Sequence, residues 1–206
     1  MSGTFDKVVS IEMLEAVGHE NLPGFFKVVS RALKPGGLAA IQVITLPDDR
    51  YEAYCSQHSD FIRTYIFPGG HLPSLGAMVS ISSRVGLELD GCEDVGEDYA
   101  VTLRLWRERM LARSDRIRSL GYPDRFIRMY EFYFCYCEAG FANCLIHDYQ
   151  LTWRKNRLAP SAPADGTPEA TEATEAMGAT SERLDPLTSV LLAVWCAIRP
   201  HHPPRP

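Results

Sequence analysis

The chain has 206 residues, enough for one domain of ordinary size and not comfortably two. Hydrophobic residues make up 46% and charged residues 23%, a balance that supports a real core. The formal net charge is -5 and no basic block interrupts it, which disfavours a general nucleic-acid partner.

The six cysteines are Cys55, Cys92, Cys135, Cys137, Cys144 and Cys196. None forms a C-x-x-C pair and none stands near a histidine at zinc-finger spacing, so no metal motif is expected. The opening MSGTFDKVVS lacks the apolar stretch of a secretory signal. Reduced thiols and an intracellular chain, cytoplasmic or organellar, are the expectation. The longest apolar run, Leu187 to Ile198, has 12 residues, against the roughly 20 that a spanning helix needs.

FDKVVSI is short, apolar and β-branched, and reads as a buried strand. EMLEAVGHE follows as a turn and short helix. NLPGFFKVVSRALKPGG reads as an amphipathic helix, with Phe25, Phe26, Val29, Ala32 and Leu33 at helical spacing. Asn21 and Pro23 suit its start, and Lys34, Pro35, Gly36 and Gly37 suit its end. LAAIQVITL is a second buried strand. The order strand, helix, strand makes a βαβ unit with parallel strands. Chemistry in such sheets gathers at the carboxyl ends of the strands, here Ser10 to Glu15 and Gln42 to Leu46.

Asp48 to Ser83 reads as irregular and partly helical, with the turn-rich YIFPGGHLPSL flanked by aromatics. An insertion of this kind over a strand end is often a substrate cover. VGLELDGCEDVG suggests a third strand. Asp98 to Leu120 is predicted as one helix carrying Arg104, Arg107, Arg109, Arg113, Arg116 and Arg118. Asp124 caps a further helix, RFIRMYEFYFCYCEAGFANCLI, whose apolar residues surround much of its circumference. HDYQLTWRK alternates and reads as a final strand. Beyond residue 157, a Pro, Ala, Thr and Glu tract over 158–183 cannot bury enough surface to order itself. Residues 184–206 form an apolar tail, either a short docking helix or an appendage.

No G-x-x-x-x-G-K, H-E-x-x-H or G-x-S-x-G motif is present, and no glycine-rich loop follows a first strand. Three stretches nevertheless carry a specific resemblance. FDKVVSIEMLEAVGHENLPGFFKVVSRALKPGGLAAIQVIT resembles the middle of the cyclopropane-fatty-acyl-phospholipid and mycolic acid cyclopropane synthase family, S-adenosylmethionine-dependent methyltransferases. DFIRTYIFPGGHLPSL resembles its substrate-covering insertion. DVGEDYAVTLRLWRERM and RFIRMYEFYFCYCEAGF resemble its C-terminal part. EAVGHE, YIFPGGHLPS and YCEAGF are weak singly and strong in that order and spacing.

The resemblance implies an α/β chain carrying part of a Rossmann-like methyltransferase fold: later strands and helices with a helical lipid-covering insertion, the first half of the sheet missing. It implies S-adenosylmethionine as methyl donor, bicarbonate as base and unsaturated phospholipid acyl chains as substrate, with contact to a membrane surface at most peripheral. Glu15 in MLEAVG, Tyr99 in GEDYAVTL and Ile44 in IQVIT match residues of the bicarbonate site. Gln42 stands at its histidine position, where it can donate a hydrogen bond but not act as a charged acid. Cys137 in YCEAGF matches a family active-site cysteine, although a helical cysteine among aromatics is more often packing. Ile11 matches a residue lining the S-adenosylmethionine pocket.

Without the resemblance, Glu15 reads as a solvated carboxylate at a helix start and Tyr99 as a half-buried tyrosine. His19, His58, His71 and His147 read as structural or exposed. The arginine-rich helix reads as a solvated face, or as a contact for anionic phospholipid. Three functional readings follow: cyclopropane synthesis on phospholipid, methylation of another lipid or a small amine, and a truncated module without catalysis.

Overall fold

The computed structural model describes residues 4–56 and 59–157. The Pro, Ala, Thr and Glu tract of 158–183 and the apolar tail of 184–206 lie outside the described residues. Two compact units divide the described residues, one built from 4–101 with 137–157 and the other from 102–136.

The first unit holds one four-stranded sheet. Its strands are β1 (Phe5–Ile11), β2 (Leu33–Thr45), β3 (Leu87–Asp94) and β4 (His147–Lys155), in the order β1-β2-β4-β3. β1 and β2 are parallel, joined through helix α1 (Leu22–Ala32), as the βαβ reading expects. β4 runs antiparallel to both β2 and β3. An antiparallel strand inserted beside parallel ones places β4 next to the first crossover.

Period-two alternation sorts the faces of β2. Ala39, Ile41 and Val43 are fully buried on one face, opposite Trp153, Leu151 and Tyr149 of β4. α1 lays Leu22, Phe25, Phe26 and Val29 into this core. Phe26 meets Trp153 edge-on at 5.4 Å, and the indole N–H of Trp153 donates to Ser82 Oγ at 3.0 Å. Lys155 Nζ donates to the carbonyls of Ser30 and Leu33 at 2.6 and 2.8 Å, satisfying the end of α1 with a cation.

The expected helix end at KPGG is corrected. α1 stops at Ala32, and Leu33 already stands in extended backbone with φ -88° and ψ 140°. β2 absorbs Lys34 to Gly37 as an irregular lead-in, since Phe5 pairs with Leu33 while Lys7 pairs with Leu38. Gly36 supplies the positive φ of 79° that this bulge requires. The insertion folds as α2 (Asp48–Ser56), a π-helical turn (Ile62–Ile66) and α3 (Leu75–Ser83). Ser74 caps α3 by accepting from the Ala77 amide at 3.3 Å.

The single helix expected over Asp98 to Leu120 is two. α4 (Gly96–Ala112) is followed by α5 (Ser114–Ser119), because Arg113 leaves helical geometry at φ -112° and ψ 18°. α6 (Asp124–Ala142) matches its expected start. Within the second unit Leu103, Met110, Ile117, Ile127, Tyr130 and Phe134 are buried. Trp106 and Phe134 meet edge-on at 6.4 Å. No helix among the described residues is long and apolar enough to cross a membrane. Cys55, Cys92, Cys135, Cys137 and Cys144 are free thiols.

Candidate active site

The carboxyl ends of β1 and β2 lie side by side, and Ile11 of β1 is the register partner of Gln42 of β2. One residue on, Glu12 donates its backbone N–H to the Gln42 carbonyl at 2.9 Å, the last rung of the ladder. Its φ of 47° is left-handed, a conformation that costs a non-glycine residue about 1–3 kcal/mol and marks a constrained turn. That turn leads into a 3-10 segment, Leu14–Ala16, which buries Leu14 and carries Glu15.

Glu15 turns back onto β2. Its Oε1 accepts from the backbone N–H of Ile44 at 2.7 Å. Its Oε2 is buried without a hydrogen-bond partner among the described residues. Burial raises the carboxyl from 4.5 to about 7, against the lowering effect of the Ile44 hydrogen bond, with the charges of Glu12 and Asp148 adding to the rise.

Gln42 lies on the face of β2 opposite the apolar core. Its amide nitrogen donates to Glu12 Oε1 at 3.1 Å and to Asp148 Oδ2 at 2.9 Å. Its amide oxygen accepts from Gln150 at 3.3 Å. Gln42 and Gln150 are direct register partners across β2 and β4, as are Ile44 and Asp148. Asp148 is fully buried. Burial pushes its carboxyl up to about 6, followed by the charge of Glu12, against the lowering hydrogen bond from Gln42.

Tyr99, on α4, donates its hydroxyl to Glu12 Oε2 at 3.2 Å. Its ring tilts against Phe141 of α6 at 5.0 Å. Burial raises its phenol, and the Glu12 carboxylate adds to the rise, so the hydroxyl stays protonated and able to donate. Burial also raises the Glu12 carboxyl, against the hydrogen bonds of Tyr99 and Gln42. Cys137 is half-buried on α6, one helical turn before Phe141. Ile11 is 65% exposed at the end of β1.

Glu15, Gln42, Ile44 and Tyr99 therefore converge on one end of the sheet. Sequence reasoning missed two members of the group. Glu12 had a visible signal, a second carboxylate three residues before Glu15 at the same strand end. Asp148 had none, since only the register of β4 against β2 places it. Chemically, three carboxylates of raised basicity surround donors that hold them, which suits the acceptance of a proton.

Among curated proteins the chain is 43% identical over 154 residues to a tuberculostearic acid methyltransferase of Mycobacterium tuberculosis, covering 74% of this chain and 36% of that one. It is 34% identical over 155 residues to the cyclopropane-fatty-acyl-phospholipid synthase of Escherichia coli, covering 75% and 39%. The chain thus spans well under half the length of these relatives. A mycolic acid cyclopropane synthase complexed with SAH and CTAB superposes with a TM-score of 0.67 at 28% identity, covering 75% of this chain and 57% of that one. Residues 1–151 match the family model for mycolic acid cyclopropane synthetase, and the chain belongs to that family of S-adenosylmethionine-dependent methyltransferases.

Proposed function

We propose that this chain supplies the proton-accepting part of an enzyme that builds a cyclopropane ring on the double bond of an unsaturated phospholipid acyl chain. The observation that carries the proposal is the convergence of Glu12, Glu15, Gln42, Tyr99 and Asp148 beside the Ile44 amide. S-adenosylmethionine, when bound, supplies an electrophilic methyl group. Ile11, exposed at the end of β1, fits as one wall of its site.

An acyl alkene carbon that takes the methyl forms a new C–C bond as the methyl–sulfur bond breaks, and positive charge develops on the neighbouring carbon. Loss of a proton from the transferred methyl closes the ring. A base must stand close, yet an unpaired charge in apolar surroundings is costly. The chain meets both demands. Tyr99 and Gln42 hold the Glu12 carboxylate, and the Ile44 amide holds Glu15, whose raised value near 7 makes it a stronger base than an ordinary carboxylate.

Bicarbonate fits the same donors. Tyr99 OH and the Gln42 amide already hold the Glu12 oxygens at 3.2 and 3.1 Å, and bicarbonate has the same planar oxyanion shape. When bound it supplies a proton acceptor. Glu12, at the exposed side of the group, is the residue that yields its place. Arg104 and Arg116 are exposed and suit the anionic headgroup of a phospholipid surface, a peripheral contact.

A second reading is a methyl-branched product. It is favoured by the neutral Gln42 at the histidine position and by the 43% identity to a tuberculostearic acid methyltransferase. Loss of a proton from an adjacent acyl carbon then replaces ring closure. The test is expression of the full open reading frame in cells with monounsaturated phospholipids, followed by proton NMR of the extracted acyl chains. High-field ring protons support the proposal. Branched olefinic products support the second reading, and unmodified lipid opposes both.

A further inference from the structure

A second constellation lies where the insertion meets the 3-10 turn before α1, apart from the carboxylates at the sheet end. His19 Nδ1 and Tyr51 Oη are 2.7 Å apart, and Tyr51 Oη and His71 Nε2 are 3.0 Å apart. Cys55 Sγ is 3.8 Å from His19 Nδ1. The ligating atoms of His19, Cys55 and His71 all lie within 4.8 Å of one another. They surround one phenolic oxygen. The three come from separate segments: the 3-10 turn His19–Asn21, helix α2 and the loop before α3.

We propose that His19, Cys55 and His71 bind a thiophilic divalent cation of the zinc type, with the Tyr51 oxygen or a water as fourth ligand. Two imidazoles and one thiolate are a donor set that zinc favours, with Zn–N of about 2.0–2.1 Å and Zn–S of about 2.3 Å. Tetrahedral coordination at those lengths brings ligand atoms to roughly 3.3–3.8 Å from one another, so the cluster needs to contract by about an ångström at its widest. His19 and Cys55 are exposed, which gives them freedom to move, while His71 is 8% exposed and anchored.

The surroundings agree with ligation. A cavity of about 380 Å³ lined by Gly18, His19, Gly70 and His71 gives the cluster access to solvent. Arg63 lines the same cavity, but its guanidinium stacks over the Tyr54 ring at 4.6 Å. The backbone N–H of His71 donates to the Glu15 carbonyl at 2.8 Å. A bound ion would therefore pin the insertion to the segment that carries Glu15.

The test uses the full chain, stripped with chelator and titrated with cobalt(II) and with zinc against a chromophoric competitor. One equivalent at micromolar affinity or tighter is expected, with a thiolate-to-cobalt charge-transfer band and the intense visible bands of tetrahedral cobalt. Cys55→Ser should abolish the charge-transfer band, and His19→Ala should weaken zinc binding by at least tenfold. Cys92→Ser, at another exposed thiol, should change neither. Both sensitive positions are exposed, so circular dichroism should show folded variants. Absence of stoichiometric binding, or binding unchanged in both Cys55→Ser and His19→Ala, overturns the proposal.

Discussion

The backbone N–H of Ile44 donates to Glu15 Oε1 at 2.7 Å, so an acidic side chain from the segment after β1 is fastened to the end of β2. The other carboxylate oxygen of Glu15 is buried and without a partner among the described residues. The group is held in place but not fully satisfied.

That imbalance gives a stability prediction with a defined sign. Between 4.5 and about 7 the folded protein keeps a proton on Glu15 that the unfolded chain has lost. Stability contributed at this site is therefore greatest below the lower value and falls as pH rises through the window. Glu15→Gln keeps an oxygen for the Ile44 amide and removes the titration. Its melting temperature should exceed that of the parent at pH 8, on the order of 3 °C for a change of ~1 kcal/mol, and should match it near pH 4. Calorimetric melts at the two pH values check this.

Tyr99→Phe deletes the hydroxyl that holds Glu12 and keeps the ring against Phe141. Folding should lose only about 1 kcal/mol. Turnover of the full enzyme should fall on the order of 100-fold, the usual scale for a group that supports proton transfer. Parallel measurement of urea midpoints and product formation separates the two effects.

Gln42→Ala strips Asp148 and Glu12 of the same donor at once. Asp148 is fully buried, so the loss should cost about 1–3 kcal/mol, read as a lower urea midpoint at pH 8. At pH 4 Asp148 is protonated in the folded protein, given its value near 6, and the penalty should shrink.

Calorimetric titration of this chain with S-adenosylmethionine should give no tight stoichiometric binding. Ile11, exposed at the end of β1, is proposed as one wall of a cofactor site, and the sequence has no glycine-rich turn after a first strand to cradle the rest. A sub-micromolar stoichiometric isotherm would overturn this expectation.

Much of the sheet was legible in the sequence because strand and helix periods differ. FDKVVSI and LAAIQVITL became β1 and β2, although β1 is a largely exposed edge strand and not the buried one expected, and Phe25, Phe26 and Val29 became the buried stripe of α1. The KPGG segment misled, since a proline and two glycines signal a helix stop equally well whether a loop or a bulged strand follows. Arg113 gave no warning of a break, being a good helix former by propensity. At the site, Glu15 and Ile44 could be paired from adjacent strand ends. Gln42 and Asp148 are separated by 106 positions, and only the pairing of β4 with β2 brings them together. Likewise, His19, Cys55 and His71 show no metal-ligand spacing in the chain and meet only through the folded insertion.

The left-handed backbone at Glu12 ties its conformational cost to its acidity. Glycine there would relieve the strain and release a partly desolvated acid. Asparagine tolerates the same backbone without the charge, and a protein carrying it should gain in melting temperature, read by calorimetry. Relief of the turn and loss of the acid therefore arrive in one substitution, so this position carries a cost that cannot be removed while the carboxylate stays.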